Sequence, residues 1–183
     1  PAMSGHVLPL AGSDSPWSSG AVSSLAQCVL APNASPWTLD GTNTWILGGA
    51  GDPVAVIDPG PDDPGHLAAV LEAVDGRQVG VIVLTHGHLD HSEGARALAQ
   101  ACGAPIRAVD PAHRLGDEGL GSGDVIDVAG GCEVVLTPGH TSDSACLLLR
   151  EDRSLVPGDT ILGRGTALVA WPDGSLAAYL DSL

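Results

Sequence analysis

Apolar and polar positions follow two different rhythms along the 183 residues. In the first half, Val54-Ala55-Val56-Ile57-Asp58 and Val79-Gly80-Val81-Ile82-Val83-Leu84 are continuously apolar, as strands buried on both faces are. Between them Leu67, Val70, Leu71 and Val74 share one helical face, which predicts a helix over 64–74. A second helix capped by Ser92 is predicted to run to about Ala101, followed by a strand from Ile106 to Val109. Upstream, Val22 to Leu30 and Thr44 to Leu47 read as strands on either side of a turn-rich stretch. Strand, helix, strand, helix, strand is α/β organisation.

The second half has shorter apolar runs set between turns. Val125 to Val128, Glu133 to Leu136, Ala145 to Leu149 and Ser154 to Val156 read as an antiparallel meander, with Thr166 to Ala170 as one more strand. From Ser175, the positions Leu176, Leu180 and Leu183 begin a helix that no glycine cap or charged last turn closes, so the chain is expected to end inside an element. Residues 1–21 are rich in Gly, Ser and Pro and read as a mobile arm. One domain over 22–183 is therefore expected.

Composition narrows the classes of function. No apolar run is long enough to span a membrane and no leader pattern is visible, which makes the cytoplasm the expected location. Acidic residues number 22 against 7 basic ones, all arginine, for a formal charge of -15. Such a surface repels a phosphate backbone and disfavours nucleic acid as a partner. Cys28, Cys102, Cys132 and Cys146 have no Cys-x-x-Cys spacing and are expected to be free thiols.

The chemistry concentrates after the strand ending at Leu84. His86-Gly87-His88-Leu89-Asp90-His91 places three imidazoles and a carboxylate within six residues. His86 and His88 can project to one side of an extended loop, with Asp90 and His91 reaching a neighbouring point. Such a set suits adjacent zinc-like ions, which take imidazole nitrogen and carboxylate oxygen at short range. A solvated histidine-rich loop is the competing reading. Two further runs end the same way, Leu136-Thr137-Pro138-Gly139-His140 and Val156-Pro157-Gly158-Asp159, with Asp58-Pro59-Gly60 at the same kind of strand end.

His86-x-His88-x-Asp90-His91, His140 and Asp159 together resemble the signature of the metallo-β-lactamase superfamily. Thr38-Leu39-Asp40-Gly41-Thr42-Asn43-Thr44 and Gly158-Asp159-Thr160-Ile161-Leu162-Gly163 are similar to its β-lactamase-like protein 2 branch, near glyoxalase II and the metallo-type thioesterases. The resemblance implies an αββα sandwich, lacking its last elements here. It implies His86, His88 and His140 around a first metal, Asp90 and His91 on a second, Asp159 bridging both, and Asp58 supporting the loop. Zinc is the implied cofactor, with manganese or iron as alternatives. A metal-bound hydroxide, oriented by Asp90, would attack a thioester, ester or phosphodiester.

The chain departs from that pattern in one respect. The family supplies a further histidine to the second metal from a later loop, and no histidine follows Asp159. The second site is expected to be incomplete. The leading expectation is a hydrolase of small-molecule or carrier-bound esters. A single-stranded endoribonuclease and a non-catalytic metal-binding module are the alternatives. Leu180 and Leu183 point to self-association, or to a complementing segment at the C-terminal edge.

Overall fold

The computed structural model describes residues 17–183. Its first sheet gathers β1 (Gly20–Ala21), β2 (Ala26–Leu30), β3 (Asn43–Leu47), β4 (Val54–Ile57), β5 (Val79–Val83) and β6 (Ile106–Arg107) in chain order. Strands β1 to β4 pair antiparallel in succession, β2 and β3 being joined by the longer turn-rich stretch 31–42. The pairs β4–β5 and β5–β6 are parallel, because helices intervene: α1 (Pro64–Val74), then α2 (Leu89–Ser92) and α3 (Ala95–Cys102). A 3-10 turn at Pro111–His113 leads to the second sheet, β7 (Val125–Ile126), β8 (Cys132–Leu136), β9 (Ala145–Leu149) and β10 (Ser154–Val156), ordered β10-β9-β8-β7 and wholly antiparallel. A last helix, α4, spans Leu176–Ser182.

The continuously apolar runs are explained by two cores on opposite faces of the first sheet. Leu47, Ile57 and Val83 point to one side and pack with Val134, Leu147 and Leu149 of the second sheet. Their immediate neighbours Ile46, Val56 and Ile82 point to the other side, against Val70 of α1 and Leu98 of α3. Side chains alternate across a strand, so a strand covered by a sheet on one face and helices on the other must be apolar at every position. All four residues of β4 are fully buried.

Helix α1 starts and ends where its pattern predicts. Asp63 accepts the His66 N–H at 2.7 Å as N-cap, Pro64 opens the first turn, and Asp75 and Gly76 close the helix in left-handed conformations. The second predicted helix differs. It begins at Leu89, breaks at Gly94 and resumes at Ala95, and Ser92 donates its hydroxyl to Gly87 O instead of capping. A methyl group at Gly94 would lie 3.0–3.2 Å from the carbonyl oxygens of Pro59, Gly60 and Pro61. The helix breaks where it must touch that turn.

Two other expectations change. Thr166 to Ala170 forms no strand; its carbonyls take partners outside any sheet, Leu168 O accepting from the distant His140 and Ala170 O from Gly174 N. The arm predicted over 1–21 lies mainly outside the described residues. Of its last five residues, Gly20–Ala21 pair with β2, and the Trp17 indole donates to Asn43 Oδ1 at 2.7 Å. The four cysteines are free, and among the described residues no helix is long and apolar enough to cross a membrane.

Candidate metal centre

All the candidate ligands emerge from strand ends along one edge of the sandwich. Asp58 follows β4, the segment Thr85 to His91 follows β5, His140 follows β8 and Asp159 follows β10. The β8–β9 loop is pinned by Thr137 N donating to Ser144 O and Gly139 N to Thr141 O, both at 2.8 Å. Gly139, at φ 149°, lies so close to α4 that a methyl group there would fall 2.3 Å from Tyr179 Cα. The Tyr179 hydroxyl donates to Thr160 O at 2.8 Å, so one helix braces the loops of both His140 and Asp159.

Gly158 sets the direction of Asp159. Its φ is 51°, and a methyl group would lie 2.6 Å from Thr85 Oγ1 and 2.8 Å from Thr85 Cβ. Left-handed strain and the clash together should make Gly158→Ala cost roughly 2–4 kcal/mol, read as a lower urea midpoint. An unchanged midpoint would show that the turn relaxes freely.

His86, His88, His140 and Asp159 form a first cluster, with one ligand atom of each lying within 4.8 Å of the others. Hydrogen bonding on the outer side settles which nitrogens face inwards. Thr85 Oγ1 gives its only proton to Asp58 Oδ2 at 2.7 Å, so it accepts from His86 Nδ1–H at 3.0 Å. His140 Nδ1–H donates to the carbonyl of Leu168. The Nε2 lone pairs of His86 and His140 therefore point inwards, 3.0 and 3.1 Å from Nδ1 of His88. One proton on that Nδ1 can serve only one of them. The donor set fits a cation of the zinc class, whose ~2.0–2.1 Å bonds to nitrogen bring ligands to such separations.

Asp90 and His91 form the second half. His91 Nδ1–H donates to Asp58 Oδ2 at 2.9 Å, leaving Nε2 at 3.4 Å from both Asp90 Oδ2 and Asp159 Oδ1. The other oxygen of Asp159 faces His140 Nε2 at 3.6 Å. Asp159 thus presents one oxygen to each cluster. Neither remaining histidine of the described residues joins the second cluster. His66 is buried under the turn at Gly60, and His113 lies over Gly87. His6 falls outside the described residues.

The electrostatics follow from this packing. Burial, then the charge of His91, pushes the His86 pKa down to about 2. Burial also opposes the charged form of His91, but the Asp58 and Asp159 carboxylates outweigh it and raise that pKa well above the usual imidazole value. Asp159 is held below the usual carboxylate range, since the hydrogen bond and charge of His91 overcome burial.

A pH dependence of the metal-free chain follows. The folded pKa of His86 lies below its unfolded value of about 6.5, so its contribution to stability is complete above that pH and is lost as pH falls towards 2. His91 has the opposite sign; its contribution is complete below about 6.5 and is lost as pH rises through its raised folded value. The contribution of Asp159 goes only as pH falls below the usual carboxylate value. The thermal midpoint with chelator present should therefore fall between about pH 6.5 and 4, and His86→Asn should reduce the slope. An identical slope in that variant would assign the effect elsewhere.

Sequence reasoning missed several residues that build the site. Thr85 links Asp58 to His86, and Leu168 fixes a tautomer through its carbonyl. Thr42 and Thr44 reach Asp90 and the carbonyl of Asp58. The two threonines lie in the Thr38 to Thr44 segment that carries the branch resemblance, but that segment gave no role to either hydroxyl.

Comparison with known proteins gives a consistent placement. The family described as Metallo-beta-lactamase superfamily matches residues 37–129. The atrochrysone carboxyl ACP thioesterase of Aspergillus fumigatus is 34% identical over 162 residues, covering 85% of this chain and 50% of that protein. Thioesterase pkgB of Emericella nidulans is 33% identical over 165 residues, covering 87% and 47% respectively. The chain thus spans about half the length of these relatives. Among solved structures, a metallo-beta-lactamase family protein from Thermus thermophilus has a TM-score of 0.73 at 22% identity, covering 88% of this chain and 69% of that one. ETHE1 from Myxococcus xanthus has a TM-score of 0.69 at 24% identity, covering 85% and 67%. At such identities these two likenesses speak for the shared fold.

Proposed function

The chain belongs to the metallo-beta-lactamase superfamily, and from that premise we propose that it is the metal-binding part of a hydrolase acting on carrier-bound or small-molecule thioesters. The observation that carries this reading is the proton count at the first cluster. The inward lone pairs of His86 and His140 converge on His88 beside the Asp159 carboxylate, and a single proton cannot satisfy them. In this reading His86, His88, His140 and Asp159 hold one divalent cation, and Asp90 and His91 share Asp159 to hold a second more weakly. Zinc is the leading choice, with manganese and iron as alternatives for such donors. A cation bound there supplies Lewis acidity, activating water and drawing charge from the acyl carbonyl.

The residues of the chain supply the rest. Asp58 fixes the tautomer and orientation of His91, and Thr85 does the same for His86. Asp90 is half-buried, with its carboxylate in the second cluster, and orients the attacking water. Water oxygen adds to the acyl carbon, the C–S bond breaks, and a carboxylate and a thiol result. The thioester preference rests on the relatives named as thioesterases and on the -15 charge, which opposes polynucleotide binding.

Chromogenic acyl-thioester hydrolysis by the zinc-loaded chain tests the proposal. A fall of at least about 100-fold on chelation, restored by zinc, is expected, since an activated water and a polarised carbonyl are together worth several kcal/mol. Faster cleavage of single-stranded RNA than of thioesters would favour the endoribonuclease. Stoichiometric zinc binding with no hydrolysis would favour a non-catalytic module.

A further inference from the structure

Thr42 immediately precedes β3 and Thr44 is its second residue, so the two stand two residues apart where the chain enters the strand. Both are almost fully buried, and each hydroxyl has one proton to give. Thr42 Oγ1 donates to Asp90 Oδ2 at 3.1 Å. Thr44 Oγ1 donates to the backbone oxygen of Asp58 at 2.7 Å. Each hydroxyl also accepts a bond from behind. Asn33 Nδ2 donates to Thr42 Oγ1 at 3.1 Å, and His66 Nε2 lies 2.8 Å from Thr44 Oγ1. Because the Thr44 proton is committed to a carbonyl, His66 Nε2–H must be the donor. Nδ1 of that ring is then a buried acceptor without a partner.

The two arms serve different groups of one cluster. Asp90 is held directly. His91 is held through Asp58, whose carboxylate receives the His91 N–H while its own backbone sits at φ 49°, a conformation that side-chain-bearing residues rarely adopt. The Thr44 hydroxyl on the Asp58 carbonyl fixes that turn, and the His66 ring forms its floor. A methyl group at Gly60, φ 83°, would lie 2.8 Å from His66 Nε2. The first cluster receives no bond from either threonine: His86 and His140 are oriented by Thr85 and Leu168.

We propose that Thr42 and Thr44, backed by Asn33 and His66, are positioning residues that form a two-armed clamp on Asp90 and the Asp58 turn, setting the affinity of the Asp90–His91 half for its cation. This rests on the reading of the site as a two-cation centre. The clamp acts through its neighbours and touches no reacting atom. A merely structural role would lower thermal stability and leave the ratio of the two cation affinities unchanged.

Zinc titration of the intact chain against a chromogenic chelator, paired with thermal melts, decides the matter. For Thr42→Val, the first equivalent should bind within about 3-fold of wild type and the second about 10–100-fold more weakly. Thr42→Ser, which keeps the hydroxyl, should restore the second equivalent. Thr44→Val should act in the same direction; if it fails to fold, the Thr42 pair decides alone. In thioester hydrolysis kcat should fall more than KM rises for Thr42→Val. Equal weakening of both equivalents, or wild-type affinity for both, overturns the clamp. A wild-type chain that binds one equivalent also overturns it, whereas one that binds no zinc overturns the reading of the site itself.

Discussion

Asp58→Ala should destabilise the metal-free protein by roughly 3–5 kcal/mol, the cost of breaking a buried charged network by removing one partner. Asp58 is 2% exposed and accepts three bonds, from Thr85 N at 2.8 Å, Thr85 Oγ1 at 2.7 Å and His91 Nδ1 at 2.9 Å. Alanine strands all three donors in a site closed to water. It also removes the leading counter-charge that keeps His91 protonated against burial. Asp58→Asn separates the two effects, because the amide oxygen can still accept while the charge is gone. Urea denaturation of both variants in chelator provides the measurement. A loss below about 1 kcal/mol for Asp58→Ala, within the range of an ordinary surface change, would mean that the network is dispensable.

The second large effect is on the chemistry. Zinc-loaded His88→Ala should lose roughly 10²–10⁴-fold in thioester kcat/KM, since removing a ligand forfeits the several kcal/mol that a fixed cation contributes. His88 is the informative choice because it is the exposed member of the first cluster, whereas His86 is 2% exposed and its truncation would also open the core. Retained thermal stability together with lost zinc and lost hydrolysis is the expected pattern. Hydrolysis within a few-fold of wild type, with zinc absent, would remove the cation from the reaction.

How far the sequence could be read depended on whether a feature is local. The helix over 64–74 was legible from its own residues, because Asp63, Pro64 and the apolar face all lie within or beside it. The strands β4 and β5 were legible because burial on both faces leaves an unbroken apolar run. The break at Gly94 was not, since it answers to the carbonyls of Pro59, Gly60 and Pro61, far back in the chain. The six candidate ligands could be listed from strand ends and residue types, and the structure brings them to one edge. Their tautomers could not, because those depend on Thr85, Asp58 and the Leu168 carbonyl, which meet the histidines only after folding. His66 shows the same limit. As a histidine on a helix it gave no hint that it floors the turn beneath a ligand-supporting carboxylate.

The distribution of the ligands over both sheets has a consequence for chain topology. His88 and His140 lie 52 residues apart in sequence, one after a strand of the first sheet and the other after a strand of the second. A shared cation would act as a reversible cross-link closing that loop. By the entropy estimate used for disulfides, a loop of this length is worth roughly 4 kcal/mol as a ceiling. Because that estimate acts on the unfolded chain, withdrawing the cross-link would lower the unfolding midpoint while the apolar seam of Leu47, Ile57, Val134 and Leu147 still joins the two sheets.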